Sequence, residues 1–222
     1  DRISRKVKTY SASADADLKI TSLKSIHGNS VFTTNKTSVE FTLYIGGKHN
    51  VENALAAISV ALELGIAEDK IAKAIAGFRG IKRRFEKHIE SDSMVYIDDY
   101  AHHPEELRNA IHTAKKLYPG EKVMGIFQPH LYARTRDFAD GFAEVLDELD
   151  YPVLLDIYPA RELPIENVNS SLILNKMKNP NKLLIQKDEV CDCVTKIKPK
   201  VLITMGAGDI DMLVPKLKTC LS

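Results

Sequence analysis

Polar residues that can bind anions and move protons cluster at four places in the second half of the chain. The clusters combine carboxylates, histidines and arginines. They are Asp98-Asp99-Tyr100-Ala101-His102-His103-Pro104, Gln128-Pro129-His130-Leu131-Tyr132-Ala133-Arg134-Thr135, Tyr158-Pro159-Ala160-Arg161-Glu162 and Gly206-Ala207-Gly208-Asp209. Arginine forks bind carboxylates and phosphates through two hydrogen bonds, and histidine titrates near neutral pH. This set of residue types meets the demands of an ATP-driven ligation, in which charge on a transferring phosphoryl group must be neutralised.

Simpler interpretations exist for each cluster. Any one of these residues alone is more often a solvated loop side chain or a helix cap. The histidines His102, His103 and His130 suggest a metal site, but their spacing is not diagnostic and no cysteine joins them, so we predict no metal site. Gly206-Ala207-Gly208 is only half of a G-x-G-x-x-G pattern, which indicates a tight turn between a strand and a helix.

The elements that must position these clusters alternate between strands and helices. The pattern predicts strands at Met94–Asp98, Val123–Phe127, Val153–Ile157, Leu183–Ile185 and Val201–Met205, and helices at Pro104–Tyr118, Asp137–Leu149, Ser171–Met177, Val190–Ile197 and Ile210–Leu217. Apolar strands in this alternation indicate a mostly parallel sheet that is covered on both faces. Ligands bind beyond the carboxyl ends of such strands, and the four polar clusters follow those ends.

The first part of the chain has a different pattern. Three short strands at Asp17–Leu23, Ser30–Thr34 and Ser38–Ile45 predict an antiparallel meander. Apolar residues with helical spacing then predict a helix at Asn50–Gly65 and a second, shorter helix at Ala67–Ala76. Glycines at both ends of the stretch Gly77–Gly80 make it the best candidate for a hinge between two domains.

Composition excludes several classes of protein. The 222 residues are 44% hydrophobic and 27% charged, which is typical of a globular protein and not of a disordered one. The net charge of +1 gives no basic field that would attract nucleic acid, and the longest apolar stretch is too short to insert into a membrane. Three cysteines without paired metal-site spacing are predicted to be reduced thiols. The first residue is Asp1, so we expect a trimmed piece of a cytoplasmic protein, and a homo-oligomer is compatible with the sequence.

Six motifs in chain order resemble the Mur ligases. They are Gly47-Lys48-His49-Asn50-Val51-Glu52-Asn53-Ala54-Leu55-Ala56-Ala57, Lys82-Arg83-Arg84-Phe85-Glu86, IDDYAHHP from Ile97, QPHLYART from Gln128, DIYPARE from Asp156 and GAGDI from Gly206. The sequence is most similar to the branch of the family that joins L-alanine to the lactyl carboxylate of UDP-N-acetylmuramate in peptidoglycan synthesis. The resemblance implies these two molecules as substrates, with ATP and Mg²⁺.

The resemblance also implies an α/β fold class and a domain organisation. Residues 1–79 match the C-terminal part of a central ATP-binding domain, built of antiparallel strands plus helices, and residues 80–222 match a Rossmann-like, mostly parallel C-terminal domain. The phosphate loop of the family, G-T-H-G-K-T, does not occur in this sequence. We therefore expect the main Mg²⁺ ligands to lie elsewhere in the parent enzyme and this chain alone to be inactive.

Site roles follow from the resemblance residue by residue. Asn50 and Asn53 match positions that face the adenine, Asp99 matches the acceptor for the ribose hydroxyls, and Arg84 matches a catalytic arginine that reaches the ATP phosphates. Tyr100, His102, His130 and Arg134 match positions that face the muramoyl substrate and the incoming amino acid. For His102 and His130 the resemblance implies a catalytic role, which is to bind or deprotonate the alanine ammonium. We expect both histidines to contribute more by positioning the ammonium than by transferring a proton.

One departure affects substrate binding. The family usually has an arginine and a small hydroxyl residue where this chain has Leu131 and Ala133, so Arg134 or a neighbouring lysine must carry one anionic contact of the substrate. Two alternatives stay open from the sequence. One is a recycling ligase that attaches a tripeptide to the same acceptor, and the other is a non-catalytic nucleotide-binding module.

Overall fold

The computed structural model describes residues 7–26, 29–45 and 47–221. The chain divides into two compact units, residues 1–80 and 81–222. The outermost parts of the two predicted domains, residues 1–6 and 222, lie outside the described residues. Within the described ranges, every helix is too short or too polar to be a membrane span.

The first unit contains a four-stranded sheet in the order β1-β2-β3-β4. Its strands are β1 (Tyr10–Ser11), β2 (Leu18–Ile26), β3 (Asn29–Thr34) and β4 (Phe41–Leu43). Strands β2, β3 and β4 pair antiparallel, which confirms the predicted meander. Strand β1 pairs parallel with β2 and was not predicted, because two residues are too few to show a period.

Two helices cover this sheet, α1 (Lys48–Glu63) and α2 (Glu68–Gly77). Helix α1 buries Val51, Leu55 and Ile58 completely, and these apolar positions have the spacing that predicted the helix. The helix begins two residues before the predicted start, because the carbonyl of Gly47 accepts the amides of Asn50 and Val51. Asn50 therefore lies in the first turn of the helix and is not its cap.

The second unit contains a six-stranded sheet in the order β5-β6-β10-β7-β8-β9. Its strands are β5 (Glu86–Glu90), β6 (Val95–Asp99), β7 (Val123–Phe127), β8 (Tyr151–Leu154), β9 (Leu183–Leu184) and β10 (Val201–Met205). All neighbours pair parallel except β5, which runs antiparallel at the edge beside β6. The mixed small sheet and the mostly parallel large sheet confirm the predicted α/β class.

Helices cover both faces of the large sheet. They are α3 (Pro104–Leu117), α4 (Tyr132–Asp137), α5 (Ala139–Leu146), α6 (Ser171–Leu174), α7 (Val190–Ile197) and α8 (Leu213–Cys220). One apolar core includes residues of α3, α5 and α6, and a second core on the opposite face includes residues of α7 and α8. This arrangement explains why β6, β7 and β10 are buried along their whole length.

Several elements of the second unit differ from the prediction, and the differences at β5, α4 and α5 have a clear physical reason. Strand β5 has the sequence EKHIE, whose charges suit an exposed edge but give no strand signal. Helix α4 occupies part of the segment that was predicted to be a polar loop, and it begins after Leu131, whose φ of 72° turns the chain sharply. The predicted helix Asp137–Leu149 is correspondingly shorter, since α5 starts only at Ala139.

The strand register brings the carboxyl ends of four strands to one level. Met205 pairs with both Asp99 and Phe127, and Phe127 in turn pairs with Leu154. The segments that follow these four residues therefore leave the sheet along the same edge, here called the carboxyl-end rim. All four polar clusters identified in the sequence lie at this rim, as predicted.

Candidate functional site

Arg83 is the central anchor of the carboxyl-end rim. Its Nε donates to Oδ2 of Asp98 at 3.1 Å, while Nη2 and Nη1 donate to the carbonyls of Gly206 at 2.5 Å and Gly208 at 3.2 Å. Asp98 is fully buried at the end of β6 and also accepts the hydroxyl of Thr204 at 2.7 Å. One guanidinium therefore joins the end of β6 to the segment after β10. A buried carboxylate requires such a partner.

Sequence reasoning missed this role of Arg83. It assigned a function only to the neighbouring Arg84, although an aspartate inside an apolar strand is a signal that a buried cation is needed. Arg84 itself is exposed, and its guanidinium carbon lies 6.0 Å from the centre of the Tyr100 ring. The guanidinium carbon of Arg83 lies 5.1 Å from the centre of the same ring, so two cations lie close to Tyr100.

Asp99 is buried and uses both carboxylate oxygens to hold backbone. Oδ2 accepts the amide of Phe85 at 2.8 Å, and Oδ1 accepts the amide of Ala101 at 2.8 Å. Burial raises the pKa of Asp99, while the two amides and the charge of Arg84 oppose that rise. Phe85 and Arg83 both have positive φ, of 51° and 59°, so this carboxylate holds the end of a strained turn.

Four aromatic rings form a row across three loops of the rim. The ring centres are 5.3 Å apart for Tyr100 and His102, 6.2 Å for His102 and His130, and 5.8 Å for His130 and Tyr158. The last pair is stacked, and a bridge between the backbones of His130 and Tyr158 holds it in place. Three of the four predicted substrate-binding residues therefore lie side by side.

The hydrogen bonds of His102 determine which ring nitrogen carries its proton. Nδ1 lies 2.9 Å from the carbonyl oxygen of Tyr100 and 3.2 Å from a carboxylate oxygen of Glu106. Both oxygens can only accept, so Nδ1 is the donor and Nε2 of the neutral ring has the free lone pair. His102 is thus arranged to accept a proton or a hydrogen bond through Nε2.

His130 has the opposite arrangement. Arg134 is in α4, four residues after His130, and its Nη1 lies 3.4 Å from Nδ1 of His130 and donates to it. Burial lowers the pKa of His130, and the charges of Arg134 and His102 lower it further. A guanidinium can only donate, so Nδ1 of the neutral imidazole accepts and its proton is on Nε2. His130 and Arg134 together present donors to an anion.

The turn after β10 needs glycine for close packing. A Cβ at Gly206 would lie 2.8 Å from the carbonyl oxygen of Gln128, and a Cβ at Gly208 would lie 2.6 Å from both Oε1 of Gln128 and Cβ of Tyr158. Nε2 of Gln128 donates to Asp209 at 2.9 Å. Among the described residues, Oε1 of Gln128 is a buried polar atom without a hydrogen-bond partner.

A cavity of about 570 Å³ opens beside this turn. Its lining is polar and charged, and it shares Gln128 and Tyr158 with the row of rings. The lining residues are Gln128, Asp156, Ile157, Tyr158, Pro159, Gln186, Lys187, Asp188, Asp209 and Lys216. Lys187 forms an ion pair with Asp209.

The two asparagines that were predicted to bind adenine belong to the first unit. Asn50 is half-buried and Asn53 is exposed, and their three-residue spacing places them on one side of α1. The other predicted site residues all belong to the second unit. Within the described ranges, no group of three or more His, Cys, Asp or Glu residues has a geometry that could hold a metal ion.

Comparisons with known proteins agree with this architecture. Residues 1–61 match the Mur ligase middle domain, and residues 83–215 match the family described as Mur ligase, glutamate ligase domain. The UDP-N-acetylmuramate--L-alanine ligase of Flavobacterium johnsoniae is 48% identical over 212 residues, which is 94% of this chain and 47% of that protein. The Porphyromonas gingivalis W83 protein of the same name is 51% identical over 170 residues, or 76% of this chain and 37% of that protein.

Solved structures show the same fold. The UDP-N-acetylmuramate-alanine ligase of Thermotoga maritima superposes with a TM-score of 0.72 at 26% identity, covering 96% of this chain and 47% of that one. A murein peptide ligase from Psychrobacter arcticus superposes with a TM-score of 0.65 at 20% identity over 96% of this chain and 45% of that one. The chain spans about half the length of the curated relatives that match it over nearly its whole length.

Proposed function

The chain belongs to the Mur ligase family, and on this premise we propose that it is part of an enzyme that joins L-alanine to UDP-N-acetylmuramate. The observation that carries the proposal is the meeting of Tyr100, His102, His130 and Arg134 at the carboxyl-end rim. They lie there in a chain that is 48% identical to a ligase of that name. We also propose that residues 1–79 belong to the central domain of the enzyme and residues 80–222 form its C-terminal domain.

The family uses ATP, which converts the lactyl carboxylate into an acyl phosphate that an amine can attack. The exposed guanidinium of Arg84 is the candidate contact for the phosphates, and the amides of Asn50 and Asn53 offer the paired donor and acceptor that an adenine edge requires. Asp99 as the ribose acceptor stays a prediction. Its oxygens already hold the amides of Phe85 and Ala101, so a ribose hydroxyl must use their remaining lone pairs.

The hydrogen bonds of the two histidines suggest separate roles in the amide-forming step. The alanine ammonium must lose protons before its nitrogen can attack, and Nε2 of His102 has the lone pair to accept one. Because Nδ1 of His130 accepts from Arg134, the Nε2 proton of His130 and the other N–H groups of the guanidinium are the candidate donors to the anionic acyl group. When the C–N bond forms, the C–O bond to phosphate breaks and phosphate leaves.

A chimeric enzyme tests this proposal. Residues 1–222 would replace the matching part of the Flavobacterium johnsoniae ligase, and phosphate release would be measured with ATP, UDP-N-acetylmuramate and either L-alanine or a tripeptide. We expect product with L-alanine. Product formed only with the tripeptide would support a recycling ligase instead, and a folded but inactive chimera would contradict both.

A further inference from the structure

Two cysteines on different helices lie against each other in the second unit. Cys191 is in the first turn of α7, and Cys220 is the last residue of α8. The thiol of Cys220 donates to Sγ of Cys191, and the two sulfurs are 2.8 Å apart. A disulfide bond has a length of about 2.05 Å, so an approach of about 0.8 Å separates this contact from a bond.

The third cysteine does not share this contact. Cys193 is two residues beyond Cys191, which corresponds to about 200° around an α-helix, so the side chains point to opposite sides of α7. All three thiols are free and half-buried. A small oxidant can therefore reach each of them, but only Cys191 and Cys220 are placed to react with each other. Cys193 is a matched internal control.

We propose that Cys191 and Cys220 are a modification site, which a peroxide converts into an intrachain disulfide. The thiolate of Cys191 attacks one peroxide oxygen, the O–O bond breaks, and a sulfenic acid and hydroxide form. Sγ of Cys220 then attacks the sulfenic sulfur, the S–O bond breaks, and a second hydroxide leaves. The protons of the two thiols convert the hydroxides to water, so two sulfurs are oxidised and one peroxide is reduced.

The order of these steps follows from the hydrogen bond. Burial and the neighbouring sulfur of Cys191 raise the pKa of Cys220 to about 11, so Cys220 keeps its proton and donates it. Cysteine attacks as the thiolate, and the sulfur that donates this hydrogen bond must keep its proton. Cys191 is therefore assigned the first attack and Cys220 the resolving one.

The disulfide would restrain the residues that line one side of the cavity at the carboxyl-end rim. Gln186, Lys187 and Asp188 line that cavity directly before α7, and Lys216 lines it from α8. A covalent bond between the two helices ties these lining residues together. The bond can be reversed by thiol exchange with a reduced dithiol.

Peroxide treatment of the whole 222-residue chain tests the proposal. We expect the number of titratable thiols to fall from three to one, and peptide mapping to find Cys191 joined to Cys220 with the loss of two hydrogens. Dithiothreitol should restore three thiols. Cys193→Ser should still form the bond, whereas Cys191→Ser should not.

Three results would overturn the proposal. They are a bond that includes Cys193, a bond between two copies of the chain with none inside it, and sulfinic acid at Cys191 while Cys220 stays a thiol. Circular dichroism of each variant before oxidation shows that it is folded. Cys220→Ser gives an independent check, because the same loss of the bond is expected from the opposite helix.

Discussion

Replacing Arg83 with methionine should destabilise the second unit strongly. Methionine keeps most of the apolar stem of the side chain but removes the guanidinium, which bonds Asp98 and the carbonyls of Gly206 and Gly208. The carboxylate of Asp98, whose side chain is only 1% exposed, then keeps the hydroxyl of Thr204 as a partner. A buried charge is left without its counter-charge.

The size of the effect follows from burial. Removing one partner of a buried ion pair costs about 3–5 kcal/mol. The side chain of Arg83 is 17% exposed, so water screens part of the pair, and we reduce the expected cost to about 2–4 kcal/mol. For a unit of this size, 1 kcal/mol shifts Tm by about 2–4 °C, which predicts a fall of roughly 5–15 °C.

Differential scanning calorimetry checks this prediction, because it measures Tm directly. Arg84→Met is the matched control, since Arg84 is exposed and a surface substitution is expected to change stability by less than about 0.5 kcal/mol. Adding Asp98→Asn to Arg83→Met should recover part of the loss by removing the buried charge. Equal Tm values for Arg83→Met and Arg84→Met would refute the reasoning.

Three further predictions concern the same rim. The pKa of His130, measured by NMR titration, should lie below the ordinary value of histidine. It should rise in Arg134→Met, because this substitution removes a cation that opposes protonation, and an unchanged pKa in the variant would contradict this prediction. Gly208→Ala should cost about 1–3 kcal/mol in thermal unfolding, because its Cβ would lie 2.6 Å from side-chain atoms, whereas Gly77→Ala meets nothing within 4 Å and should cost far less. Asp99→Asn should cost about 1–3 kcal/mol in urea unfolding, since the amide group cannot accept both backbone N–H bonds; wild-type stability would show that those bonds contribute nothing.

The sheet of the second unit was predictable because its strands are continuous apolar runs. Such runs occur only where both faces of a sheet are covered, and they fixed β6, β7 and β10 almost to the residue. Strand β5 was not predicted, because its extended conformation depends on antiparallel pairing with β6 and not on its own residue pattern. Its charged residues have no strand preference of their own.

The sequence predicted where the candidate site lies in the fold, but it did not predict most of the contacts between the residues of the site. The carboxyl ends of parallel strands had to converge, so the proximity of His102 to His130 follows from topology. The anchoring by Arg83 was not predicted, because it depends on a positive φ and on two carbonyls more than 120 residues away in sequence. The start of α4 likewise depends on the backbone of Leu131, which bonds the carbonyl of Tyr158.

The most direct test of the central claim compares two histidines of the second unit in the chimeric enzyme. His130 lies in the row of rings at the carboxyl-end rim, whereas His112 is exposed on α3 and pairs with Glu148. His130→Ala should lower kcat/KM for UDP-N-acetylmuramate at least about tenfold, because a donor to the reacting anion is lost, and His112→Ala should leave it unchanged. Equal kcat/KM values for both variants and the parent chimera would contradict the assignment of this rim as the substrate site.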